Sequence, residues 1–265
     1  MLIRLLKYDF KKMFGFLSIF FLMALFFGFL TRFFGELEAS LAFSICKGIC
    51  NGTMISMLCS LLINCFMRTW VLFRASLFGD ESYLTHTLPV KRETIYAAKA
   101  LNAAICIFLS LIAIIAVLFI TYWSENLELL LKAFLVPITD YLGISAWGLF
   151  IFLFALLFVE FFNGVQIGMM GILIGHRFLQ KKILLSVIFG FAVYMVTQSV
   201  TLLGMLLIGL IDADFMKIFS TNDLMSLKPE TIITVSLVGF AFYALISIAG
   251  FIVNSYILKK GVNVE

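Results

Sequence analysis

Charge is what this sequence has least of. Asp, Glu, Lys and Arg make up 13% of its residues, against 63% hydrophobic, where soluble domains carry ~25% charged residues. With a mean hydropathy of +1.13, the chain does not use water as its main solvent. Proline is scarce as well, with 3 in all, and the apolar runs extend far beyond the ~9–11 residues of a barrel strand. In lipid every backbone amide must be satisfied within its own segment, and such runs must therefore be helices. A dense Lys/Arg run with interleaved aromatics is missing too, which sets nucleic acid aside as the partner of the +4 net charge. The glycines form no GxxxxGKS or GxxxxGKT phosphate cradle. The five cysteines, Cys46, Cys50, Cys59, Cys65 and Cys106, include no CxxC pair and have no nearby histidine. They read as small buried residues, and no metal site is expected.

What is present is a series of six apolar segments, roughly Met13 to Phe34, Ser44 to Phe66, Ala100 to Thr121, Tyr141 to Gly175, Ile183 to Ile211 and Thr231 to Leu258. Each can cross a bilayer. The expected fold is all-α, a polytopic bundle of six transmembrane helices forming a single domain over residues 1–265. The fourth segment is the longest, so a kink or an extension beyond the membrane is expected there. Basic residues sort the connections: Arg4, Lys7, Lys11, Lys12, Arg68, Arg74, Lys91, Arg92, Lys99, Arg177, Lys181, Lys182, Lys259 and Lys260 fall on one side. By the positive-inside rule that side is cytoplasmic, and both termini lie on it. The opposite side carries Arg32, Lys47, Lys132, Lys217 and Lys228 among acids such as Glu36, Glu38, Asp212 and Asp214. Residues 212–230 form an extracellular segment on this topology.

The start of the chain is amphipathic. Arg4, Lys7 and Lys11 recur at helical spacing, and Leu2, Ile3, Leu6 and Phe10 occupy the facing arc. This pattern predicts an interfacial helix over residues 2–12, lying on the membrane surface with its cations near anionic lipid headgroups. The basic residues followed by an apolar run also suit a signal peptide, but the run is long and lacks a small-x-small cleavage site, so it reads as a retained first span.

The largest cytoplasmic connection runs over residues 68–99. Within it Gly79 breaks a helix, Asp80 can cap the next, and Tyr83, Leu84, Thr87 and Leu88 share a face. Pro89 then ends this short helix or begins the following one. A helix this short is not stable alone, and an apolar face turned to the cytoplasm implies a docking partner.

The residues Gly79-Asp80-Glu81, Tyr83-Leu84-Thr85 and Thr87-Leu88-Pro89-Val90, with the opening Leu5-Leu6-Lys7-Tyr8-Asp9-Phe10-Lys11-Lys12, resemble the permease subunits of the ABC-2 family of ABC transporters, especially those of Gram-positive bacteria. The specific likeness is confined to these two segments, and the six-span plan extends over the whole chain. Ser82 and Lys91 depart from the Gly and Ser expected at those places. The resemblance implies that Gly79, Asp80, Glu81, Tyr83, Leu84, Thr87, Leu88 and Pro89 form a coupling helix seated on a separate cytoplasmic ATPase. That ATPase would hold ATP and Mg, this chain being no enzyme and carrying no cofactor. A second permease chain, identical or homologous, would complete the pathway in a bacterial plasma membrane. The cargo expected by analogy is a peptide, an antibiotic or a lipid-like molecule.

Two further patterns lie inside the apolar segments. Glu160 is followed by Gly164, Gly168, Gly171 and Gly175 at spacings that keep them near one helical face. Glu160 is expected to sit at a tight helix contact, bonded to a neighbour such as Asn163, or to line the translocation path or a subunit interface. Gly48, Gly52, Ser56, Ser60 and Asn64 form a second stripe, expected to pack against a crossing helix. The phenylalanines face lipid or fill the core. The rival readings are an ion-coupled carrier, a non-transporting sensor bound to an ATPase, and a membrane enzyme. The carrier would need paired ionisable groups and an internal repeat, neither of which is visible. The enzyme would need convergent catalytic groups at membrane depth, and the two histidines, His86 and His176, both fall on the cytoplasmic side.

Overall fold

The computed structural model of the chain describes residues 2–37, 40–79, 81–87, 89–211 and 228–260. Eight helices are found among the described residues: α1 Leu2–Glu36, α2 Leu41–Phe78, α3 Ser82–Thr87, α4 Arg92–Tyr122, α5 Glu125–Leu142, α6 Ala146–Gly175, α7 Lys182–Ile211 and α8 Pro229–Lys259. Six of them are long and apolar enough to cross a membrane, namely α1, α2, α4, α6, α7 and α8. The protein is thus an all-α, six-span membrane protein, and its described residues group into two compact units. One covers residues 1–130 and holds α1 to α4; the other covers 131–263 and holds α6 to α8. Helix α5 runs across the border between them.

These boundaries correct two expectations and locate the break expected in a third. The N-terminal interfacial helix is not a separate element, because residues 2–12 continue without a break into the first span as one helix of 35 residues. At ~1.5 Å per residue α1 is about 50 Å long, so it exceeds a hydrocarbon core of ~30 Å and projects beyond it. The long fourth segment is divided. Gly143 takes a left-handed φ of 65°, and the Ile144 N–H reaches back to the Thr139 carbonyl at 3.1 Å. Ser145 then caps α6 by accepting from the Gly148 N–H at 3.1 Å. Upstream, α5 was hidden in an expected connection, although the sequence holds its start signal: Ser124 Oγ accepts from the Leu127 N–H at 3.2 Å. Glu38 and residues 212–227 lie outside the described residues, so the extracellular segment is left to sequence.

In the first unit α1 packs against α2 and α4. Ala24, Met54, Leu58 and Val117 form a buried centre, flanked by Phe21, Leu25, Phe27, Met57 and Ile114. Gly28 allows the close approach, since a Cβ there would lie 2.5 Å from Thr121 Oγ1. Toward the end rich in basic residues, Phe73 and Tyr96 pack edge to face with centroids 6.2 Å apart, both almost fully buried. At the other end Arg32 holds Glu36 at 3.2 Å and the Ile120 carbonyl at 3.0 Å, and the Tyr122 hydroxyl donates to Asn51 Oδ1. Cys50, Cys65 and Cys106 are buried as expected, whereas Cys59 is exposed.

In the second unit α6 is the central helix, with α7 and α8 on it. The α6–α7 crossing is set by backbone contact. A Cβ at Gly171 would come within 2.6 Å of Gly190 Cα and the Ser186 carbonyl, and one at Gly175 would strike the Ser186 backbone. Small residues at this spacing let two backbones meet. The α2 stripe behaves otherwise: nothing lies within 4 Å of a Cβ built on Gly48 or Gly52, and both are exposed. No described helix of this chain packs against these two glycines. Periodic small residues signal a possible close approach, but the neighbour must be supplied by the fold.

Candidate functional site

The segment after α2 folds as its residues dictate. The Gly79 N–H closes the last turn of α2 on the Ala75 carbonyl at 3.2 Å, and the Gly79 carbonyl then accepts from the Ser82 N–H at 2.9 Å. Helix α3 follows. Thr85 bonds the Glu81 carbonyl through both its backbone N–H, at 3.1 Å, and its hydroxyl, at 3.1 Å. Pro89 ends α3 rather than starting α4, whose first residue is Arg92. Ser82 is buried, whereas Tyr83 is 69% exposed, and Thr87 and Pro89 are exposed with it. The short helix therefore turns an aromatic ring outward, which a mere connection would not require. Asp80, Leu88 and the side chain of Leu84 lie outside the described residues.

Two ion pairs tie this segment to the spans. Lys12 Nζ on α1 lies 2.6 Å from Glu81 Oε1 and 4.5 Å from the centroid of Tyr8. The bond to Glu81, and after it the contact with Tyr8, raises the Lys12 pKa above its ordinary 10.5. One turn earlier on the same helix, Asp9 Oδ2 lies 2.6 Å from Lys99 Nζ on α4. Asp9 is 5% exposed and Lys99 9%. A charge this deep is tolerable only with its partner, so the pair fixes α1 against α4. The first three turns of α1 consequently connect α3 on one side with α4 on the other.

Sequence reasoning placed Lys12 and Lys99 among the orienting cations and Asp9 in the family-like opening, but it did not pair them. The signal was weak. Asp9 is the sole acid in the first 35 residues, which marks it as unusual without naming its mate.

The Glu160 group does not converge on one point. Glu160 is exposed and Asn163, one turn on, is buried. Gly164 and Gly168 are half-buried, and Gly171 and Gly175 are buried in the α7 crossing. A separate uncharged cluster lies between α6 and α8, where Asn254 Nδ2 donates to the Gln166 carbonyl at 3.0 Å. Past the end of α6, on the α7 side, His176, 4% exposed, sets Nδ1 2.9 Å from the Ile172 carbonyl and 3.3 Å from Ser186 Oγ. Compared with protein-family models, with curated proteins and with solved structures, the chain matches none.

Proposed function

We propose that this six-span protein is the membrane subunit of an ATP-driven exporter of the ABC-2 kind, and that α3 and its flanks, Gly79 to Val90, receive a separate ATPase. The observation that carries the reading is the mounting of α3. It turns Tyr83 and Thr87 outward, while Glu81 holds Lys12 of α1 and the same stretch of α1 holds Lys99 of α4. Displacement of α3 by a docked partner would therefore load two spans at once, as coupling requires.

On this reading the end rich in basic residues faces the cytoplasm of a bacterial cell, both termini lie there, and ATP and Mg belong to the partner. A second permease chain completes the pathway. The cargo is a peptide, an antibiotic or a lipid-like molecule. The test is co-expression with the ATPase encoded beside this chain. Co-purification and chain-stimulated ATP hydrolysis are expected, and Tyr83→Asp should abolish both while the protein still reaches the membrane. Lack of association with the ATPase, or full stimulation in Tyr83→Asp, would refute the docking assignment.

A further inference from the structure

Across residues 100–159 the charged residues are Glu125, Glu128, Lys132 and Asp140, and all of them lie on α5. This helix is not among the six spans, yet it is held between two of them. Trp123 and Ser124 join it to α4, and residues 143–145 join it to α6. At no more than ~3.6 Å per residue, such linkers keep each end of α5 within about 15 Å of a span end. Both spans stay uncharged up to that point, with no charge between Lys99 and Glu125 or between Asp140 and Glu160. Trp123, 40% exposed, and Trp147, 77% exposed, flank the helix, and tryptophan gathers where hydrocarbon gives way to headgroups. Since α4 starts among Lys91, Arg92 and Lys99 and crosses once, this boundary is the one opposite α3.

Around α5 the residues divide. At ~100° per residue, Glu128, Lys132 and Asp140 share one arc, and Leu130, Leu131, Phe134 and Ile138 share the opposite one. The chain leaves much of that apolar arc bare: Leu130 is 68% exposed and Phe134 69%, and α5 packs closely against no other helix among the described residues. An apolar strip backed by charges and tethered at headgroup depth is satisfied when the helix lies in the membrane plane. We propose that α5 binds the phospholipid surface opposite α3 as an interfacial helix, with Leu130 and Phe134 among the acyl chains and Lys132 and Asp140 among headgroups and water. Its acids, Glu125, Glu128 and Asp140, outnumber its one lysine, so apolar burial holds it rather than attraction to anionic lipid. A second copy of the chain would cover the strip only where a matching face met it, whereas the lipid boundary already lies at both ends of the helix. The site is separate from α3 and stands whether or not an ATPase docks there.

The experiment uses the full chain in phosphatidylcholine nanodiscs that each hold a single copy. Cysteine replaces Phe134, Lys132 or Leu129, all exposed, and alkylation by a water-soluble maleimide is followed by peptide-resolved mass spectrometry, which separates these positions from the native thiols. Lys132→Cys should react roughly ten-fold faster than Phe134→Cys, as expected when one face of the helix is sunk in lipid. Leu129 is apolar but falls on the charged arc, so Leu129→Cys should react like Lys132→Cys. Phosphatidylcholine with a diazirine near the ester end of an acyl chain should label the peptide around Phe134 more strongly than one with the diazirine at the terminal methyl. Exchange of half the lipid for phosphatidylglycerol should leave the rates within about two-fold, because α5 carries an excess of acids. Equal rates at Lys132 and Phe134 would place the strip in water. Protection of Phe134→Cys only in discs with two copies would assign the strip to a second chain, and stronger labelling from the terminal methyl would sink α5 into the bilayer core. Each of these results, or protection that requires phosphatidylglycerol, would overturn the proposal.

Discussion

Between 22% and 33% of each span's most apolar stretch is buried within the chain in the first unit, whereas the second unit buries 6% to 11%. The first unit interlocks bulk, with Met13, Phe73 and Tyr96 almost wholly enclosed, and adds the Asp9–Lys99 pair at one end. The second relies on bare backbone approach at Gly171 and Gly175 and on the Asn254 amide, which donates to the Gln166 backbone carbonyl. Lipid tails are as apolar as leucine, so burial alone drives little association between spans, and close packing and polar contacts do the holding. A unit that makes few such contacts within its own chain leaves more surface for lipid or for another chain.

Substitutions can sharpen this contrast. The largest effect should come from Asp9→Ala, which strands Lys99 as a buried cation and should destabilise the protein by about 3–5 kcal/mol. Thermal unfolding in detergent measures it. Asp9→Leu combined with Lys99→Met should recover most of the loss, and failure of the double variant to do so would mean that the pair is more than mutual compensation. Next comes Gly175→Leu, which drives a side chain into Ser186 and should cost about 3 kcal/mol. Gly52→Leu, with open space around it, should stay within about 0.5 kcal/mol. Equal losses at both positions would dissolve the distinction between the packed and the open glycine stripes.

Asn254→Ala should be milder, at about 0.6 kcal/mol, the average worth of a polar contact between membrane helices. Similarly mild is Lys12→Ala, because the Lys12–Glu81 pair is partly exposed and such pairs contribute about 0.2–1 kcal/mol. Its pH dependence has a definite sign. Lys12 has its pKa raised on folding, so its contribution is complete below the ordinary value of 10.5 and drains away as pH rises through the higher folded value. Unfolding of the wild type and of Lys12→Ala should therefore differ at neutral pH and converge in strong alkali. On the proposed reading Lys12→Ala should also weaken ATPase stimulation far more than stability, and the charge exchange Lys12→Glu with Glu81→Lys should restore it.

Six apolar segments and their order were legible in the sequence because the bilayer imposes a length and a composition on each span independently of its neighbours. The short helix after Gly79 was legible for a similar reason: a glycine, a proline and the residues between them act locally. Contacts between spans were not. One turn of periodicity distinguished neither Gly171, pressed on Gly190, from Gly52, facing open space, nor a buried Asp9 from a surface one. The division into two units and the mating of Asp9 with Lys99 and of Lys12 with Glu81 depend on which helix lies beside which. Neighbours distant in sequence are chosen by packing, and only the tertiary structure decided them.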